Sequence, residues 1–133
     1  VLVFATTPAF SSFAVNDLDA ARKFYGETLG LSVTDSEMGT LNLTLGSGAT
    51  IFVYPKPDHE PATFTVLNFD VEDIDAVVDD LNARGVTTKI YGDDELPGMP
   101  NDSKGITRDD ENSMAIAWFR DPAGNVIAVM QTN

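Results

Sequence analysis

The residues able to carry chemistry are few. His59 is the only histidine among 133 residues, and there is no cysteine. A disulfide framework, a thiolate metal site and a cysteine nucleophile are therefore excluded. One imidazole cannot build a two-histidine facial triad or a two-histidine zincin site within one chain. A Ser–His–Asp triad would have to recruit His59, whose setting Pro57-Asp58-His59-Glu60-Pro61 reads as an exposed, proline-bounded turn. Carboxylates are plentiful instead. Asp93-Asp94-Glu95 and Asp109-Asp110-Glu111 flank a long acidic stretch and could take a cation or a cationic ligand, although such runs are ordinarily solvated loop charge. Gly46-Ser47-Gly48 opens no helix, so it reads as a hairpin turn and not as a phosphate loop. Tyr25 falls on an apolar helical stripe and reads as core, and Arg120, beside a turn, is assigned no role.

Composition narrows the partners. The chain has 21 Asp plus Glu against 8 Lys plus Arg, a formal charge of −13. A phosphate backbone needs a basic surface, so nucleic acid is excluded as a partner. With 43% hydrophobic and 9% aromatic residues the chain can fill a core, which argues against disorder. Val1-Leu2-Val3-Phe4-Ala5 is too short for a signal core, and no run of 18 apolar residues exists, so no membrane span is expected. A cytoplasmic protein is the default expectation.

The elements that must position these residues are organised by a repeat. Val15-Asn16-Asp17-Leu18-Asp19-Ala20-Ala21 returns 56 residues later as Val71-Glu72-Asp73-Ile74-Asp75-Ala76-Val77. Each copy then reaches a glycine and an apolar residue, Gly30-Leu31 and Gly85-Val86. Gly48-Ala49-Thr50-Ile51-Phe52-Val53 likewise matches Gly124-Asn125-Val126-Ile127-Ala128-Val129, but at an offset of 76, so the second copy carries about twenty extra residues. Each module opens on an extended run, Ala9 to Val15 and Thr63 to Phe69. A helix follows, capped by Asn16 or Asp17 and by Glu72 or Asp73. Its apolar stripe is Leu18, Ala21, Tyr25 and Leu29 in the first copy, and Ile74, Val77, Val78 and Leu81 in the second. The period then changes to two: Leu41, Leu43 and Leu45 alternate with Asn42 and Thr44, and Thr50 to Tyr54 follows. In the second copy Met114 to Arg120 and Val126 to Gln131 flank the turn Asp121-Pro122-Ala123-Gly124-Asn125. The string is βαβββ twice, joined by a Pro-rich link. The stretch Tyr91 to Ser113 reads as a long loop, either a binding loop or a mobile one.

These motifs resemble the vicinal oxygen chelate superfamily of glyoxalase I, extradiol dioxygenases and bleomycin-resistance proteins. The resemblance rests on Val15-Asn16-Asp17-Leu18 with Ala21 and Phe24-Tyr25, on Leu29-Gly30-Leu31, and on Phe119-Arg120-Asp121-Pro122-Ala123-Gly124-Asn125, and it spans Phe10 to Gln131. It implies an α+β fold, two tandem βαβββ modules forming an open, cup-like mixed sheet with helices outside. It also implies one domain over 1–133, with module one at about 9–55, a link at 55–62 and module two at about 63–131.

The family's metal enzymes hold a cation with one ligand on the opening strand and one on the last strand of each module. Those positions fall here on Phe10, Phe52, Val66 and Ala128, none of which offers a lone pair. The expectation is therefore no metal, no cofactor, no identifiable catalytic residue and a reading that leans away from an enzyme. Strand alternation groups Phe10 with Ser12, Phe52 with Tyr54, Val66 with Asn68, and Ala128 with Met130; with Trp118 these form a candidate ligand-binding surface. Equally, these side chains could fill a closed core. The resemblance implies a metal-independent binder of the bleomycin-resistance type, a homodimer taking a small molecule, cationic or aromatic. The alternatives are a lyase or isomerase with an atypical site, or a degenerate regulatory domain.

Overall fold

Runs of period two become strands and the apolar stripes become helices, twice over. The computed structural model describes residues 4–92, 95 and 99–132. In the first repeat β1 (Ser11–Val15) leads to α1 (Leu18–Lys23), β2 (Ser32–Asp35), β3 (Leu41–Thr44) and β4 (Thr50–Pro55). In the second, β5 (Thr65–Asp70) leads to α2 (Ile74–Ala83), β6 (Thr107–Asp109), β7 (Met114–Arg120) and β8 (Val126–Thr132). The fold is α+β, and the order βαβββ occurs twice. Each repeat closes its own four-stranded mixed sheet, in the orders β1-β4-β3-β2 and β5-β8-β7-β6. The opening strand lies parallel to the last strand of its module in both. Contacts cluster into two compact units, residues 1–60 and 61–133, which divide within the proline-rich link.

The helix ends follow from local chemistry. Asp17 and Asp73 are the N-caps, each with extended backbone and a carboxylate accepting from the N–H three residues on, Ala20 and Ala76, at 3.1 Å. Each satisfies an orphan donor and sets a negative charge at the positive end of the helix. At the end of α2, Val86 N donates to Leu81 O and Gly85 N to Asn82 O. This paired C-terminal closure needs a left-handed residue, and Gly85 supplies it at φ 86°.

Two expectations are corrected. The first stripe does not run as one α-helix to Leu29: α1 passes into a π turn, Phe24–Thr28, where Leu29 N donates to Phe24 O at 2.9 Å. The wider turn keeps Tyr25 fully buried, its ring 5.8 Å from Phe13 and edge-on to Phe24 at 5.2 Å. The stretch from Tyr91 to Ser113 is not loop throughout, because Thr107–Asp109 forms β6 against β7 and Asn101 bridges to Thr107. Three residues are too short to show a period. Lys104 and Arg108 tie this stretch to α2, through Asp75 and Asp79 at 2.8–3.3 Å. Arg108 first, and Lys104 second, draw the Asp75 carboxyl below its ordinary range. Gly105 meets the segment after α2 so closely that a Cβ there would fall 2.1 Å from the Thr88 carbonyl oxygen. Asp93, Asp94, Pro97 and Gly98 lie outside the described residues.

The hairpin turns repeat as the sequence suggests. Leu45 N bonds Ala49 O, and Asp121 N bonds Asn125 O. The Asp121 carboxylate, 4% exposed, accepts from Ala123 N, Asn125 N and Asn125 Nδ2 at 2.9–3.0 Å, which pins the second turn. In the first unit Phe13, Val15, Ala21, Tyr25, Leu41, Leu43 and Val53 form a core between sheet and helix; in the second Ile74, Val78, Ala117, Phe119, Ile127 and Val129 do. No helix among the described residues is long and apolar enough to cross a membrane.

Candidate functional site

Alternation along the strands of the first unit sorts side chains onto two faces. Phe13, Val15, Leu41, Leu43, Ile51 and Val53 point to the helix side and are buried. The opposite face carries Ser12, Ala14, Ser32, Thr34, Asn42, Thr44, Thr50, Phe52 and Tyr54, so it holds no acidic or basic side chain in a chain of charge −13. Register lines up Ser12, Phe52, Asn42 and Thr34 as one row across the four strands. Phe52 is half-buried, stacked on Tyr54 at 6.2 Å and 29° and edge-on to Phe10 at 6.1 Å. Phe10 is 71% exposed and Tyr54 36%. Three rings thus stand on a neutral sheet face, with hydroxyl and amide groups beside them.

The equivalent face of the second unit differs. Its row runs Asn68, Ala128, Trp118. Ala128 is fully buried and Trp118 is 9% exposed, in a cluster with Val126 against which Ile90, Tyr91 and Ile116 pack. The Tyr91 ring meets Trp118 edge-on at 5.3 Å. Asn68 is exposed, and Met130 is half-buried between Asp70 and Ile116. Val66 is the extra residue of a bulge between Thr65 and Leu67, with no partner on β8. Phe10 similarly precedes the first paired residue of β1, Ser11.

The structure therefore brings Phe10, Ser12, Phe52 and Tyr54 together in the first unit. In the second it groups Asn68, Trp118, Ala128 and Met130, with Val66 beside them. Two of the four positions expected for metal ligands are aromatic rings, one is a bulged valine and one a buried alanine. A divalent cation needs oxygen, nitrogen or sulfur donors, so these residues do not fit one. Among the described residues no three His, Asp or Glu side chains converge elsewhere to hold a metal ion. His59 is not the exposed turn residue expected: it is half-buried, its N–H bonds Lys56 O at 3.0 Å, and Nε2 has no hydrogen-bond partner among the described residues.

Sequence reasoning missed Asn42 and Tyr91. The alternation that buries Leu41 and Leu43 already places Asn42 in the row with Phe52. Tyr91 carries no periodic signal, because Val86 to Tyr91 forms neither strand nor helix.

The family model described as Glyoxalase/Bleomycin resistance protein/Dioxygenase superfamily matches residues 9–129. Among solved structures, a fosfomycin resistance protein, FosX, from Listeria monocytogenes is 12% identical, with 96% of this chain and 94% of that one covered at a TM-score of 0.71. A glyoxalase family protein from Enterococcus faecalis is 22% identical, with 96% and 98% covered and a TM-score of 0.67. TnmS3, an antibiotic binding protein from Streptomyces sp. CB03234, is 24% identical, with 96% and 98% covered and a TM-score of 0.62. At these identities the likeness shows a shared fold. A comparison with curated proteins finds no match.

Proposed function

The chain belongs to the glyoxalase/bleomycin resistance protein/dioxygenase superfamily, and from that premise we propose that it is a metal-independent binder of bulky small molecules, of the drug-sequestering kind. The observation that carries this reading is the uncharged face of the first sheet with its Phe10, Phe52 and Tyr54 rings. Small-molecule sites are largely apolar and aromatic, with a few polar groups that orient the ligand. Ser12, Asn42 and Thr34 are such groups, in register with Phe52. Rings on a sheet take a planar ligand by stacking, or a cation over their π faces. The net charge of −13 would raise the encounter rate of a cation, an effect that salt screens.

The donor-free family positions support binding without metal chemistry. Two proteins of the same fold, the antibiotic binding protein TnmS3 and the fosfomycin resistance protein FosX, lend further support to a small-molecule binding or resistance role. The proposal includes a homodimer, in which a second copy would cover rings that this chain leaves exposed; sedimentation equilibrium tests that part. Thermal-shift screening of planar aromatics and cationic glycopeptides, with and without EDTA, tests binding. A ligand at 100 times its Kd stabilises the folded state by about 2.7 kcal/mol. The expected result is an EDTA-insensitive rise in Tm that Phe52→Ala removes. A rise that requires added Ni, Zn or Fe would instead favour the lyase or isomerase reading.

A further inference from the structure

The uncharged face of the first sheet divides into two halves along its strand order, β1-β4-β3-β2. Every ring stands on one side: Phe10 just before β1, and Phe52 and Tyr54 on β4. The other side has no ring. There β3 presents Asn42 and Thr44, and β2 presents Ser32 and Thr34. Neighbouring strands lie about 4.8 Å apart, so Thr34 sits roughly 10 Å from Phe52 along their shared row, with Asn42 midway.

Ser32, Thr34 and Thr44 are exposed and Asn42 is half-buried, and none of the four side chains hydrogen-bonds another described residue. Their hydroxyls and amide offer donors and acceptors together, without a formal charge. This pattern selects among ligands. An ion covering this half would find no counter-ion on the face, and its desolvation would go uncompensated. A wholly apolar body would strip water from the hydroxyls and the amide and return no hydrogen bond. A sugar ring meets both conditions. It is uncharged, its hydroxyls donate and accept, and its C–H groups rest on the negative face of a neighbouring aromatic ring.

We propose that the platform takes an uncharged aromatic glycoside, an inference that rests on the small-molecule binding assigned above to the same face. The flat aglycone stacks on Phe52 and Tyr54. The sugar lies over β3 and β2 and exchanges hydrogen bonds with Asn42 and Thr34, within reach of Ser32 and Thr44. The two parts of such a molecule, joined through one glycosidic oxygen, match the aromatic half and the hydroxyl half of the face.

Calorimetric titration of the full chain with 2-naphthol, its β-D-glucopyranoside, its β-D-galactopyranoside and its β-D-glucuronide tests it. One or both neutral glycosides should bind about fivefold or more tightly than 2-naphthol, given roughly a 2- to 13-fold gain per net hydrogen bond. The glucuronide, which adds a carboxylate to the glucoside, should bind more weakly than the glucoside. Thr34→Val, an isosteric change at an exposed position, should cut the advantage of the tighter glycoside over 2-naphthol about twofold or more. Adding Asn42→Ala should cut it about fourfold or more. Phe52→Ala should weaken 2-naphthol and both neutral glycosides alike. Binding of 2-naphthol with no gain from either sugar would overturn the glycoside and leave the platform as an aromatic-binding surface. Failure of 2-naphthol and both glycosides to bind would overturn the platform with it. An unaltered advantage in the double variant, or a glucuronide bound as tightly as the glucoside, would also overturn the proposal.

Discussion

Replacing Phe52 by alanine separates an open aromatic platform from a filled core. Phe52 is half-buried and makes two ring contacts, with Phe10 and Tyr54, at 6.1 and 6.2 Å. Aromatic pairs contribute about 0.5–1.5 kcal/mol each beyond the area they bury, and both partners here are themselves exposed, so the lower half of that range applies. The two pairs together give about 1–2 kcal/mol, and the apolar area that the ring covers adds about 1 kcal/mol, so the folded state should lose about 2–3 kcal/mol. Phe119, on the helix side of the second sheet and 1% exposed, provides the comparison. Its truncation should cost about 3–5 kcal/mol, the range for a core phenylalanine. Urea unfolding followed by circular dichroism reads both, and for a chain of this size each kcal/mol is worth about 3–5 °C in Tm. If Phe52→Ala costs as much as Phe119→Ala, with the same m-value, the face is core, and the reasoning that makes it a binding surface is refuted.

Other predictions concern the second unit. Tyr91→Ala should shift the emission of Trp118 to the red, because Trp118 is the only tryptophan and Tyr91 packs edge-on against it; unchanged emission would mean that Tyr91 does not shield it. Asp121→Ala leaves Ala123 N, Asn125 N and Asn125 Nδ2 without their buried acceptor and should cost about 2–4 kcal/mol in urea unfolding, with Asp121→Asn recovering part of the loss. The Asp75 carboxyl is held below its ordinary range by Arg108 and Lys104, so it contributes to folding at pH values above the unfolded carboxylate pKa, and this contribution is lost as pH falls through the lower folded value. Amide exchange in residues 102–108 should therefore accelerate on acidification below about pH 4. Asp75→Asn should abolish that pH dependence; its persistence would assign the anchoring to other groups.

The duplicated frame was legible because it is written in local chemistry. Asp17 and Asp73 cap helices for the reason any aspartate does, Gly85 takes the left-handed backbone that ends α2, and Asp121 to Asn125 closes a turn within five residues. Leu41, Leu43 and Leu45 declare a strand by alternation alone. The candidate site was legible only in part. The four positions without donors were readable by alignment of the two repeats, and so was the grouping of Phe52 with Tyr54. Parity along one strand cannot report what lies above a face, however. Phe52 and Ala128 are equivalent in the repeat, yet Phe52 is half-buried beside exposed rings while Ala128 is fully buried in a cluster against which Ile90, Tyr91 and Ile116 pack. That difference arises from a segment with no secondary structure of its own. The π turn at Phe24–Thr28 was hidden for a related reason, since a stripe of Leu18, Ala21, Tyr25 and Leu29 fits an α-helix equally well. Strand β6 was hidden because three residues reveal no periodicity.

The central claim is that the first sheet's uncharged face holds a small molecule without a metal. Its most direct test is calorimetric titration of EDTA-treated protein with the ligand that most raises Tm, set against Phe52→Ala and against protein supplied with Ni, Zn and Fe. Binding should be saturable, with a Kd unchanged by any of the metals and an affinity at least tenfold weaker in Phe52→Ala. Binding that appears only with a metal, or that Phe52→Ala leaves intact, would contradict it.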